Sequence, residues 1–157
     1  MKRGLMAVVG GGGIFLAAGA AMGQAAGPYQ FYSISPCRIV DTRGSTGPVG
    51  GPALVAGSGR GFPIVGYCNI PSSAKVASLN VTFIQPTLDG FLAVWPAGTG
   101  YAGTSNINAP GGTQAIANSV IAPLGIDSAG NNINIVYGTA VAGGSAHVIV
   151  DINGYYQ

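Results

Sequence analysis

Three charged residues lie close together in the stretch PCRIVDTRG, residues 36–44: Arg38, Asp41 and Arg43. Asp41 could act as an acid or base, and Arg43 could bind a carboxylate or phosphate, because a guanidinium donates paired hydrogen bonds to such groups. The same residues could instead form a structural corner, in which Asp41 accepts backbone N–H groups and Arg43 pairs with a carboxylate such as Asp151. Because the chain has four acids in all, we expect Asp41, Arg43 and Asp151 to form the structural corner.

His147 is the single histidine of the chain and therefore its natural proton shuttle near neutral pH. Asp151 lies four residues later on a predicted strand, which puts both side chains on one face but ~13 Å apart, too far to hydrogen-bond. The sequence contains no G-x-S-x-G motif to present a serine. Asp89 and Asp127 lie in predicted turns, which leaves Asp41 and Asp151 as the pair that a glycosidase could use. We predict that the protein is not an enzyme.

Cys37 and Cys68 are the two cysteines of the chain, and an even count in an exported protein favours a disulfide. This bridge would stabilise the fold by about 3 to 4 kcal/mol in the chain-entropy model. The alternative is a metal site or a redox pair. The sequence does not favour it, because the two cysteines lack the C-x-x-C spacing and the chain has one histidine that could serve as a further ligand. Residues 127–132 are rich in side-chain oxygens but lack the ligand count and the closing acid of a calcium loop. We predict a Cys37–Cys68 disulfide, no metal and no cofactor.

Two aromatic residues, Trp95 and Tyr101, flank a predicted loop at residues 96–100. Aromatic side chains at such a place could form a platform on which a sugar ring stacks. The alternative, which we prefer, is that Trp95 packs in the core and Tyr101 lies on a loop. Trp95 and Tyr101 are nevertheless the candidate ligand-binding residues of the sequence.

A second aromatic group, Tyr29, Phe31 and Tyr32, lies shortly before Cys37. Residues 26–35 could extend from the domain and add a strand to the sheet of a neighbouring copy. Tyr29, Phe31 and Tyr32 are therefore candidates for an assembly strand.

Residues 1–25 have the pattern of a signal peptide. Lys2 and Arg3 form a basic start, an uncharged apolar run follows, and Gly23 and Ala25 are small residues at the −3 and −1 positions of a cleavage site. A retained membrane anchor is the competing interpretation, because the apolar run is nearly long enough to span a bilayer. The four glycines at residues 10–13 favour cleavage. We predict a single secreted domain at residues 26–157, with no membrane segment after cleavage.

The predicted mature chain has no net charge. The whole sequence has six Lys and Arg against four Asp and no Glu, and cleavage removes Lys2 and Arg3. Such a chain lacks the clustered basic residues that contact nucleic-acid phosphates. It also has little repulsion between copies, so self-association is not discouraged.

The segment after residue 26 reads as β-structure, because glycine and proline separate stretches rich in Val, Ile, Phe, Tyr, Thr and Asn. The clearest strand is 76–85, with Ala77, Leu79, Val81 and Phe83 facing the core. Turn residues at 86–90 predict a hairpin with a partner strand at 91–95. The other predicted strands are 29–35, 37–42, 105–108, 115–123, 131–137, 146–155 and a short one near 53–56 inside an irregular loop at 44–61. Eight or nine short antiparallel strands predict an all-β domain with a β-sandwich or jelly-roll fold.

Several motifs recur in an order that resembles one protein family. They are PCRIVDTR, GP-x-GGP, YCNIP, SLNVTFIQP, GFLAVWPAG, SNINAPGGTQAIANSVIAPLG and HVIVDINGYY, over about residues 31–156. The sequence resembles secreted bacterial β-domains of acidobacterial and actinobacterial extracellular proteins, which carry CR-x-x-DTR near the start and D-x-x-GY(F/Y) at the end. The resemblance implies a secreted β-domain with an accessory role; the family has no settled activity.

Two functions fit these observations. The first, which we prefer, is a secreted structural subunit that assembles with copies of itself into a filament, sheath or matrix outside a bacterial cell or at its surface. The second is a module that binds polysaccharide or cell wall through a sheet face or through Trp95 and Tyr101. A fold of this kind hosts unrelated functions, so the site must decide between them.

Overall fold

The computed structural model describes residues 27–157, so the predicted leader lies outside the described part of the chain. No helix occurs in residues 27–157, and hence none that could cross a membrane. The described residues form nine strands: β1 (Phe31–Asp41), β2 (Leu54–Val55), β3 (Gly59–Phe62), β4 (Val76–Ile84), β5 (Gly90–Pro96), β6 (Ile107–Ala109), β7 (Ala115–Pro123), β8 (Ile133–Thr139) and β9 (Ser145–Tyr156).

The strands form two antiparallel sheets. One has the order β1-β9-β4-β7, with β2 pairing the start of β9 where β1 has ended; the other has the order β3-β8-β5-β6. The pairs β5–β6, β4–β7, β3–β8 and β1–β9 are nested around residues 97–106, and successive pairs belong to opposite sheets. The chain is thus one long antiparallel ribbon wrapped into a sandwich, which is the jelly-roll arrangement. The predicted all-β fold is confirmed.

The core lies between the two sheets. In β4 the side chains alternate as predicted, with Ala77, Leu79, Val81 and Phe83 buried and the residues between them partly exposed. The Phe83 ring meets the Tyr137 ring of β8 edge-on, with the centroids 5.4 Å apart, so the contact joins the two sheets. Buried side chains of both sheets form a single hydrophobic cluster.

The predicted hairpin between residues 76–85 and 91–95 is wrong. β4 pairs with β7 and β9, whereas β5 pairs with β6 and β8, so residues 85–89 carry the chain from one sheet to the other. The buried Tyr137 holds this crossing: its hydroxyl donates to the Leu88 carbonyl at 2.7 Å and accepts the Leu88 N–H at 3.1 Å. Turn chemistry at Pro86, Asp89 and Gly90 reverses the chain but does not determine which sheet the next strand joins.

The two strands predicted at 29–35 and 37–42 are one strand, β1. Its register with β9 shifts between Ser33 and Cys37. Pro36 lies in this interval and has no N–H to donate to a ladder. The strand therefore continues through an irregularity that the sequence shows as a break.

The predicted loop at residues 44–61 contains β2, close to the short strand expected there, and the start of β3, which was not predicted. Gly59 and Gly61 weaken the strand pattern of β3. Arg60 anchors it, because its guanidinium donates to the carbonyls of Gly47 and Pro52, each at 2.7 Å. The glycine-rich loop is therefore fixed to the edge of the four-stranded sheet.

Candidate functional site

The Asp41 carboxylate is held by its close neighbour Arg43. Oδ1 accepts the Arg43 backbone N–H at 3.1 Å and Nε–H at 2.8 Å, and Oδ2 accepts an Nη2–H at 2.7 Å. These hydrogen bonds lower the pKa of Asp41 to about 2. Asp41 accepts a backbone N–H and Arg43 pairs with a carboxylate, as predicted, but this carboxylate is Asp41 and not Asp151.

Asp151 pairs instead with Arg38, which lies directly opposite it across β1 and β9. Arg38 Nε donates to Oδ1 at 2.8 Å and Nη2 donates to Oδ2 at 3.2 Å. Arg38 Nη1 also lies 3.7 Å from Asp41 Oδ2, so both carboxylates and both guanidiniums belong to one cluster. Each acid of the cluster is bound by an arginine side chain, which suits a structural role.

The single histidine, His147, contacts Thr42, the residue that follows Asp41. Its Nδ1 lies 3.1 Å from Oγ1 of the buried Thr42, which also accepts the Val148 N–H at 2.9 Å. No serine or carboxylate hydrogen-bonds to His147 within residues 27–157, where Thr42 is the one side-chain partner found. These contacts fasten the end of β1 to β9 and assemble no hydrolytic triad.

Cys37 and Cys68 form the predicted disulfide, with their Cα atoms 6.0 Å apart. The bridge ties β1 to the segment that follows β3. Asp127, in the oxygen-rich loop, uses both carboxylate oxygens inside the loop, accepting hydrogen bonds from Ala129 and Asn131. The described part of the chain contains no cluster of three or more His, Cys, Asp or Glu side chains that could hold a metal.

Trp95 and Tyr101 lie together. Their ring centroids are 5.2 Å apart with the planes tilted by 43°, and Trp95 Nε1–H donates to the Thr99 carbonyl at 3.1 Å. The preferred interpretation, a core Trp95, is wrong, because Trp95 is partly exposed on the outer face of β5 while its neighbour Val94 faces the core. The structure therefore brings the two candidate ligand-binding residues together at the surface.

The predicted assembly strand is part of β1. Phe31 pairs with Tyr156 and Tyr32 with Tyr155 of β9, and the ring centroids of the two pairs are 4.9 and 5.4 Å apart. Tyr29 lies just before the strand. These residues thus occupy the domain's own sheet, and no strand of residues 27–157 pairs with the other side of β1.

No local pattern in the sequence indicated one surface, the outer edge of the five-stranded sheet at β7. No backbone hydrogen bond within the described residues links β7 to a strand other than β4. Strand order decides which strand lies at an edge, and strand order could not be read from local patterns. Comparison with known proteins adds no assignment: no protein-family model matches the chain. No curated protein matches it either.

Proposed function

We propose that the protein is a secreted, non-catalytic subunit that self-associates into an extracellular or cell-surface assembly. The observation that carries the proposal is the edge of the five-stranded sheet at β7, where residues 27–157 supply no further strand. An edge strand presents unpaired N–H and C=O groups to any chain that can lie beside it.

β7 lacks most of the devices that usually protect an edge, although its Asn118 side chain accepts the Ser119 N–H at 2.9 Å and donates to the Asn106 carbonyl at 2.8 Å. It is nine residues long, carries no charged side chain, and has proline at its last position, Pro123. The residues from Ala115 to Ser119 are exposed, and Ile121 is 57% exposed. Edge strands that avoid pairing are typically short, charged, bulged or interrupted by proline. β7 therefore favours the addition of a further strand.

The opposite edge of the same sheet supplies a complementary strand. Strand directions alternate across β1, β9, β4 and β7, so β7 of one copy lies antiparallel to β1 of a copy placed beside it without rotation. Pro36 and the register shift confine such pairing to the first half of β1, residues 31–35. Phe31 and Tyr32 in this half are 49% and 37% exposed.

The contact joins two different surfaces, β7 of one copy and β1 of the next. A row of such copies has an unpaired β1 at one end and an unpaired β7 at the other. Copies related by translation alone do not close into a ring, so this contact extends into a filament. The absence of net charge in the predicted mature chain removes long-range repulsion between successive copies.

The experiment uses the chain exported from a bacterial host. Ala117→Lys places a charge on the exposed β7 edge, and Ala129→Lys places the same charge on an exposed loop as a control. We expect the unaltered protein and Ala129→Lys to form assemblies in sedimentation and electron microscopy. We expect Ala117→Lys to be monomeric with an unchanged circular dichroism spectrum.

Mixing tests the direction of assembly. Ala117→Lys keeps its β1 edge, so added in small proportion it should cap growing ends and shorten the assemblies of the unaltered protein. A monomeric unaltered protein at every concentration would overturn the proposal. A closed dimer that grows no further would overturn the β7–β1 contact and favour a symmetric β7–β7 contact.

A further inference from the structure

The outer face of the four-stranded sheet is a second unusual surface, separate from the two edges used above. Phe91, Ala93 and Trp95 of β5 lie on this face; Phe91 and Trp95 are partly exposed, whereas Ala93 is fully buried. Their neighbours on β3, β6 and β8 are small or amide side chains: Gly59, Gly61, Asn108, Asn134, Val136 and Gly138. No charged residue occupies these nine positions.

The aromatic rings of this face lie across glycines of neighbouring strands. A Cβ atom at Gly138 would collide with the Phe91 ring, and one at Gly59 would lie 3.3 Å from Cη2 of Trp95. Glycine at these positions lets each ring lie along the sheet and not stand away from it. Tyr101, 41% exposed, packs beside Trp95 and extends the aromatic surface.

Two amide side chains accompany the rings. Asn108 lies opposite Phe91 and Asn134 lies opposite Trp95. Neither side-chain amide forms a hydrogen bond with another part of residues 27–157, and each offers donors and an acceptor. Beside Phe91 an open concavity of about 600 Å³ is lined by residues that include Asp89, Asn108 and Thr139.

We infer that this face binds an uncharged extracellular polysaccharide chain that lies along β5. Sugar rings present apolar C–H faces that stack on aromatic rings, and hydroxyls that pair with amides. Phe91 and Trp95 are four residues apart on one strand, ~13 Å, so one sugar unit cannot contact both. No charged residue occupies the nine positions of the face, and the one acid beside it, Asp89, is negatively charged, so the site suits a neutral ligand and disfavours an anionic one.

The inference is independent of the proposed assembly, because the face and the two sheet edges are different surfaces. Affinity electrophoresis in gels that contain hydroxyethylcellulose, galactomannan or dextran measures binding by the exported chain. We expect retardation by at least one of these neutral polysaccharides. Phe91→Ala and Trp95→Ala should each weaken binding about tenfold, the loss of one good contact. Ile126→Ala, at an exposed loop residue away from this face and from both sheet edges, is the control and should bind normally.

A second variant guards against loss of folding, since both rings cover glycines. Asn108→Ala combined with Asn134→Ala leaves the aromatic packing intact and should weaken binding about fivefold. No retardation of the folded protein by any of the three polysaccharides would overturn the inference. Unchanged binding by the Phe91→Ala, Trp95→Ala double variant would also overturn it. If that double variant instead dissolves assemblies, a second copy covers the face and the inference is wrong.

Discussion

At the scale of single residues, the Asp41 carboxylate stabilises the fold through its pairing with Arg43. Arg43 lowers the pKa of Asp41 to about 2, below the ordinary value near 3.9 of an unfolded chain. A depressed pKa in the folded state contributes stability that is full above about pH 4 and is lost as the pH falls toward 2. Asp41→Asn should therefore lower the free energy of unfolding by about 1 kcal/mol at pH 7, since water screens a partly exposed pair.

Urea unfolding of both proteins at pH 7 and pH 2 checks this expectation. At pH 2 the two proteins should have nearly the same free energy of unfolding. The Asp41 carboxyl is then about half protonated in the folded unaltered protein, so its pairing with Arg43 contributes little stability. Asp89→Asn is the control: it removes a carboxylate that forms no salt bridge within residues 27–157. An equal difference at both pH values would contradict the assigned role.

Tyr137 is the second residue with a specific prediction. Its hydroxyl both donates to and accepts from the Leu88 backbone, in the turn that carries the chain between the sheets. Tyr137→Phe leaves two backbone groups without this partner and should cost about 1 to 3 kcal/mol. Thermal and urea unfolding measure the loss. Tyr101→Phe removes an exposed hydroxyl bonded to the Thr104 carbonyl and should change stability by less than about 0.5 kcal/mol; equal losses would contradict the role of Tyr137.

Residue types alone predicted part of the corner. The carboxylate of Asp41 was expected to accept backbone N–H groups because it ends a strand before a glycine-rich loop. The partner of Arg38 could not be predicted, because it depends on the register that places Arg38 opposite Asp151. Register depends on how two strands distant in the sequence pair, so it cannot be predicted from the residues of either strand alone.

At the scale of elements, the strand pattern was predictable and its connections were not. The alternation in β4 determined which of its faces is buried, and β7 begins and ends where the sequence indicated. The hairpin to β5 failed because tight turns occur both within a sheet and between sheets. The contact that decides between them, Tyr137 to Leu88, spans 49 residues of sequence.

The disulfide is the element-scale link with the clearest expected effect. Cys37 and Cys68 are separated by 31 residues, and a loop of this length corresponds to about 3 to 4 kcal/mol. The Cys37→Ser, Cys68→Ser double variant should lose about that much stability in urea unfolding. Adding dithiothreitol should lower the unaltered protein to the level of the variant and leave the variant unchanged. A variant as stable as the oxidised protein would show that the bridge adds nothing.

At the scale of the whole molecule, the nesting of strand pairs places β1 and β7 at the two edges of one sheet in the described part of the chain. Because the pairs alternate between sheets, the outermost pair, β1–β9, and the pair β4–β7 share one sheet and leave β1 and β7 at its ends. The even number of strands along this path makes the two edges antiparallel in neighbouring copies. Composition predicted a molecule without strong repulsion, but the position of its edges followed from topology alone.

The charge balance of the whole molecule gives a prediction about assembly. Residues 27–157 carry four basic and four acidic side chains, and Arg38 and Arg43 are already paired with Asp151 and Asp41 inside the domain. Association through strand edges uses backbone hydrogen bonds and apolar contacts, which salt screens little. Raising sodium chloride from about 0.05 to about 1 M should therefore change the dissociation constant less than about threefold, and ammonium sulfate should lower it. Sedimentation velocity across both salt series measures the constant; a loss of more than about tenfold in sodium chloride would show that charges, and not sheet edges, hold the copies together.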